Sequence, residues 1–188
     1  DRIEDGLAHT DDPLVFEAFT RANRAMADAA RQRSPQRYLA KDKGGDGKVP
    51  TWRPFQLAFV LMNVAAQAVP THAERDVVDL IFFPTGGGKT EAYLGLAAFT
   101  LVLRRLRNPG FSSAGVAVLM RYTLRLLTLD QLGRAATLVC AVRVRAVHDP
   151  GRHGDRAFVV FVRDVTHERE VDKMKLDFLS VVTHELKT

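Results

Sequence analysis

Cysteine is nearly missing from this chain: Cys140 stands alone among 188 residues. A lone thiol excludes an internal disulfide and any cysteine-based zinc site, and it fits a reducing, cytoplasmic setting. Long apolar runs are missing too. Leu94 to Leu103 is too short for a bilayer, and the stretch from Leu57 to Val69 is broken by Asn63 and Gln67, so no membrane span is expected. There is no signal peptide, and the first residue is Asp1 rather than Met, which points to a fragment of a longer chain. No internal repeat is visible. What remains is a globular composition, 46% hydrophobic, with a formal net charge of +5. That basicity is compatible with a nucleic-acid partner and does not by itself demand one.

The most informative stretch is Pro84-Thr85-Gly86-Gly87-Gly88-Lys89-Thr90. Three glycines permit the tight turn in which successive backbone N–H groups converge on one anion, and a following helix points its positive end at the same spot. Lys89 then suits the β- and γ-phosphates of ATP, and the Thr90 hydroxyl suits the Mg²⁺ that accompanies them. The flanks agree with this reading. Val77 to Phe83 is β-branched and aromatic, as expected of a buried strand in a parallel sheet, and Thr90 to Leu106 is an Ala- and Leu-rich helix ending before Asn108-Pro109-Gly110. The loop departs from the full phosphate-loop pattern at one place, with Phe83 where a further glycine belongs. Glu91 reads as a favourable charge in the first turn of the helix rather than a catalytic group.

Around this centre the chain divides into four parts. Residues 1–51 are a helical segment followed by a linker, with Phe16, Phe19, Ala22 and Met26 at helical spacing and a polar, flexible link over Lys41 to Lys48. Residues 52–140 hold a helix opening at Trp52-Arg53-Pro54-Phe55-Gln56, the strand, the loop and its helix, a further apolar strand over Ala114 to Met120, and a helix from Leu124 to Cys140. Their alternation predicts an α/β fold, a partial P-loop parallel sheet with flanking helices. Residues 141–167 read as a β-hairpin. Residues 168–188 read as the start of a long coiled-coil-type helix, with Val171, Met174, Phe178 and Val181 on the seam and a homodimer through 168–186 as its consequence. Arginines cluster at 104, 105 and 107 and again at 121, 125 and 134, where a solvated face and a phosphate contact are equally open readings.

Trp52 to Leu57, Asp79 to Leu96 and Met120 to Gln131 together resemble the first RecA-like lobe of superfamily 2 helicases, above all the helicase subunit of the DISARM anti-phage defence systems. The opening Pro-x-Thr-Gly at Pro84 is the form seen in such helicases. The resemblance covers residues 10 to 140 and implies that Thr85, Gly86, Gly87, Gly88, Lys89 and Thr90 bind ATP and Mg²⁺. It further implies that Gln56 reads adenine and that Arg121 and Thr123 grip a nucleic-acid backbone, DNA being favoured. The paired acidic residues and the second-lobe arginine that hydrolysis requires have no candidate, so binding without turnover is expected. From residue 142 onward the chain resembles the end of a PAS domain feeding the dimerisation helix of a sensor histidine kinase. That second resemblance implies that His184 is a phosphoacceptor and Glu185 the carboxylate that orients it, with a histidine kinase catalytic domain or a response regulator as partner. The expected molecule is a truncated fusion of an ATP-binding helicase segment with a phosphoacceptor segment. The alternatives are a two-component signalling fragment working through His184 and an inactive gene-fusion remnant.

Overall fold

A computed structural model describes residues 1–82, 84, 87–113, 115–120 and 133–138, all within the unit spanning residues 1–157. Five α-helices form its body: α1 (Arg2–Ala8), α2 (Pro13–Arg33), α3 (Pro35–Tyr38), α4 (Pro54–Ala68) and α5 (Lys89–Arg107). Residues 133–138 are also helical.

Each helix start has a local cause. The Asp1 carboxylate accepts from the backbone N–H groups of Ile3 and Glu4, and the Asp12 carboxylate accepts from Leu14 N, with Pro13 in the first turn of α2. Such caps satisfy donors that have no partner inside the helix. Pro54 likewise begins α4 with its φ already set for a helix. At the other end, α5 closes with Arg104, Arg105 and Arg107 near its negative pole, ahead of Asn108-Pro109-Gly110.

The core lies where α2 and α4 pack on α5, while α1 lies against α4. Its buried face on α2 is Val15, Ala18, Ala22 and Ala25, one step round from the stripe expected around Phe16, which is mostly exposed. Ala is the reason. Small side chains let α2 approach α5 closely, so the larger Phe19 and Met26 pack at the border of the interface and Phe99, Val102 and Leu94 of α5 fill its centre. Trp52 lies across Gly95 of α5, where an added Cβ would come within 2.6 Å of its ring, and the indole N–H donates to Asn23 Oδ1 of α2 at 2.5 Å.

The expected α/β fold is corrected by this architecture. Among the described residues there is no strand and no sheet: every regular element is an α-helix or a 3₁₀ turn. Val77 to Phe82 has the β-branched composition of a strand but no ladder partner among the described residues, and Val78, Leu80 and Phe82 are 93%, 85% and 93% exposed. A parallel strand exists only through hydrogen bonds to its neighbours, and apolar patterning cannot supply the neighbour. The second expected strand, over Ala114 to Met120, is also unpaired in its described residues, with Val116 and Leu119 exposed. The hairpin expected over 141–167 and the long helix over 168–188 lie outside the described residues, as does Cys140.

The link expected over Lys41 to Lys48 carries its own backbone hydrogen bonds. A 3₁₀ turn over Lys41–Lys43 starts it. Backbone bonds from Gly45 N to Ala40 O, Asp46 N to Gln36 O, Gly47 N to Leu39 O and Lys48 N to Arg37 O then fold the segment back on α3. The Gln36 side chain adds a bond to Gly44 O at 2.5 Å. Polar, glycine-rich composition marks a loop but does not distinguish a loose one from one that satisfies its own backbone groups.

Candidate nucleotide-binding loop

Gly87 and Gly88 lead directly into α5 at Lys89, so the positive end of the helix faces the glycine loop. Gly88 is left-handed, with φ of 89°, and a Cβ built there would stand 2.7 Å from Gln56 Nε2, so both backbone and space require glycine. Thr85 and Gly86 lie outside the described residues.

The described part of the loop is held from two sides. Gly87 N and Lys89 Nζ both donate to Pro84 O, at 3.0 Å and 3.2 Å, which draws the loop's two ends together. From α4, Gln56 Nε2 donates to Gly88 O at 2.7 Å while Arg53 Nη1 donates to Gly87 O at 2.7 Å. Gln56 is 5% exposed, and its Oε1 accepts from Arg53 N at 2.8 Å, so this amide caps α4 and grips the loop together. Reading an adenine edge with Gln56 requires those bonds to open. Thr90 Oγ1 accepts from the Tyr93 hydroxyl at 3.1 Å.

Beyond the loop, Glu91 joins three parts of the fold. Its Oε1 accepts from Arg33 at the end of α2 at 3.3 Å and from Arg134, which draws residues 133–138 onto the first turn of α5. On the other approach, Arg2 of α1 forks onto both carboxylate oxygens of Asp79, at 2.6 Å and 3.0 Å, and its Nε donates to Glu74 Oε2 at 2.7 Å. The guanidinium holds the Asp79 carboxyl below the usual carboxylate range, and Asn63 assists. His72, one turn earlier, donates from Nε2 to Asp5 Oδ2 at 3.1 Å, accepts the N–H of Glu74 at Nδ1, and stands edge-on to His9. The segment entering the loop is therefore tied to α1 by its charges and not by a sheet.

Over a 145-residue comparison that covers 72% of it, this chain is 51% identical to DISARM protein DrmA of Bacillus paralicheniformis (strain ATCC 9945a / NCIMB 11709 / CD-2). Over that stretch the chain is DISARM-related. It spans 13% of the length of DrmA. No protein-family model matches the chain, and no solved structure gives a significant match.

Of the residues singled out in the sequence, the structure brings Gln56, Gly87, Gly88, Lys89 and Thr90 to one place. Arg121, Thr123, His184 and Glu185 lie outside the described residues. Arg104, Arg105 and Arg107 are engaged within the fold: Arg104 on Val116 O, Arg105 on Ser113 Oγ, and Arg107 on Ala68 O and Asp12. Arg53, Arg2, Asp79 and Arg33 were not among the expected site residues, and Arg134, the second partner of Glu91, was noted only in a cluster of arginines. Arg53 carried a signal, since it immediately precedes the helix that bears Gln56. The partners of Arg2 stand 72 and 77 residues away, and no local pattern marks them. Among the described residues, no cluster of His, Cys, Asp or Glu suited to a metal ion occurs, and no helix is long and apolar enough to cross a membrane.

Proposed function

We propose that this DISARM-related chain binds Mg²⁺–ATP at residues 84–90, as part of an anti-phage defence system of the DISARM type that works on nucleic acid. The observation that carries the reading is the junction of Gly87-Gly88 with α5: a left-handed glycine hands over to a 19-residue helix whose first two residues are Lys89 and Thr90. Polyphosphate suits the positive end of a helix, and the Lys89 ammonium suits the charge of the β- and γ-phosphates. In this reading Lys89 leaves Pro84 O for the nucleotide, the Thr90 hydroxyl turns from Tyr93 to Mg²⁺, and Thr85 and Gly86 complete the cradle. Gln56 and Arg53 hold Gly87 and Gly88 so that the loop need not be ordered anew for each nucleotide.

A thermal melt of the chain with and without Mg²⁺ and a non-hydrolysable ATP analogue tests this. Ligand at a hundredfold excess over its Kd stabilises the folded state by about 2.7 kcal/mol, which raises Tm by several degrees. Lys89→Ala is expected to abolish that rise while melting like the wild type without nucleotide. Absence of a rise in the unaltered chain overturns the proposal.

A further inference from the structure

One of two basic stretches in the chain lies ahead of α4, the other being residues 104–145 with eight arginines against Asp130. Residues 31–53 carry seven cations, Arg31, Arg33, Arg37, Lys41, Lys43, Lys48 and Arg53, against the carboxylates of Asp42 and Asp46, a surplus of five that equals the formal charge of the whole chain. Elsewhere in the described residues the arginines mostly serve the fold. Arg2, Arg21, Arg107 and Arg134 pair with carboxylates, and Arg104 and Arg105 bind backbone or hydroxyl oxygens.

Arg37, Lys41, Lys43 and Lys48 are different. All four are exposed and none pairs with a carboxylate among the described residues; Arg37 instead lies over the Tyr38 ring at 5.7 Å. They stand on the segment that folds back on α3 through its own backbone bonds. Four unpaired cations on a self-bonded loop lose little conformational freedom when they meet a second charged surface, whereas a loose basic tail loses much.

We infer that the loop from Arg37 to Lys48 is a docking surface for the phosphodiester backbone of duplex DNA. Charge and spacing favour this partner over a lipid surface. The cations are interleaved with Gly44, Gly45, Gly47 and two carboxylates, and the exposed apolar side chains beside them, Leu39 and Val49, are too few to make the apolar face that enters a bilayer. The guanidinium and ammonium heads suit phosphate oxygens, and none is fixed in a geometry for reading bases, so the contact is indifferent to sequence. This inference concerns residues outside the glycine loop and is independent of ATP.

Fluorescence anisotropy with a labelled 20-base-pair duplex of arbitrary sequence, titrated without nucleotide over a series of salt concentrations, tests it. The wild-type chain is expected to bind with an affinity that falls with salt, and Lys43→Gln to reduce the slope of log K against log salt by about 0.9, the loss of one phosphate contact. The fourfold variant R37Q/K41Q/K43Q/K48Q is expected to weaken binding at least tenfold with Tm unchanged, because its side chains are exposed. Arg24→Gln, which removes one exposed charge from α2, is expected to leave the slope as it was. Retention of wild-type affinity and slope by the fourfold variant overturns the inference. So does failure of the wild-type chain to bind duplex while binding phosphatidylserine vesicles, or competition by polyglutamate as effective as that of unlabelled duplex. Loss of the ATP-induced rise in Tm with duplex binding intact would separate failure of the nucleotide reading from failure of this one.

Discussion

Arg2 and Asp79 are the residues through which the N-terminal helix holds the segment entering the glycine loop. Two parallel N–H···O bonds fix both orientation and distance, and Glu74 takes a third donor of the same guanidinium. Both side chains are mostly shielded from solvent, so the pair is screened less than a surface ion pair, and breaking it leaves the guanidinium with Glu74 alone. Asp79→Asn is expected to lower stability at pH 7 by about 2 kcal/mol, roughly 4–8 °C in Tm. The pH dependence has a definite sign. The folded-state carboxyl titrates below its unfolded value, near 3.9, so the pair's stabilisation is fully present above that value and is lost as pH falls through the lower folded-state value. The stability difference between wild type and Asp79→Asn, measured by urea denaturation from pH 7 down to pH 2, should be constant to about pH 5 and then shrink. A difference that stayed constant to pH 2 would show that the carboxylate's charge is not what stabilises the segment.

At the scale of elements, helices α2, α4 and α5 were legible because their signals are local: apolar residues at helical spacing in α2, Pro54 at the start of α4, and an Ala- and Leu-rich run closed by Asn108-Pro109-Gly110 in α5. The sheet was misread because strand character is a property of pairs. Val77 to Phe82 has the composition of a strand, and the described residues give it an ion-pair anchor instead of a neighbouring strand. The site was half legible for the same reason. The glycines, Lys89 and Thr90 are contiguous, whereas the link from Gln56 to Gly88 spans 32 residues and that from Arg134 to Glu91 spans 43. The helix contacts also reverse an ordinary propensity. Alanine in place of glycine within a helix is favourable by up to about 1 kcal/mol, but at Gly95 its methyl would meet the Trp52 ring at 2.6 Å, and Trp52 is held by Asn23. Overpacking of that kind costs about 1–3 kcal/mol, so the clash is expected to win and Gly95→Ala to be destabilising. In a Trp52→Ala background the same substitution should stabilise, a change of sign that a double-mutant cycle in urea would measure. Stabilisation by Gly95→Ala alone would mean that the indole does not press on α5.

For the molecule as a whole, the exposed apolar segment ahead of the loop governs behaviour in solution. Val78, Leu80 and Phe82 alternate with Asp79 and Ile81; Asp79 is turned toward Arg2 and all three apolar side chains are almost fully exposed. Exposed apolar side chains on a segment of strand-like composition favour pairing with another chain, and the formal +5 charge opposes that association more weakly as salt screens it. Self-association of the purified chain is therefore expected to rise with salt, contrary to what charge-driven association would do. Leu80→Thr combined with Phe82→Thr keeps β propensity while removing most of the apolar surface. The double variant should bind less of the dye ANS and sediment as a smaller species at high salt, with Tm unchanged because neither side chain is buried. Equal sedimentation of variant and wild type across the salt series would place the associating surface elsewhere. A fall in Tm would show that Leu80 and Phe82 are packed in solution, and the exposed segment would no longer account for the association.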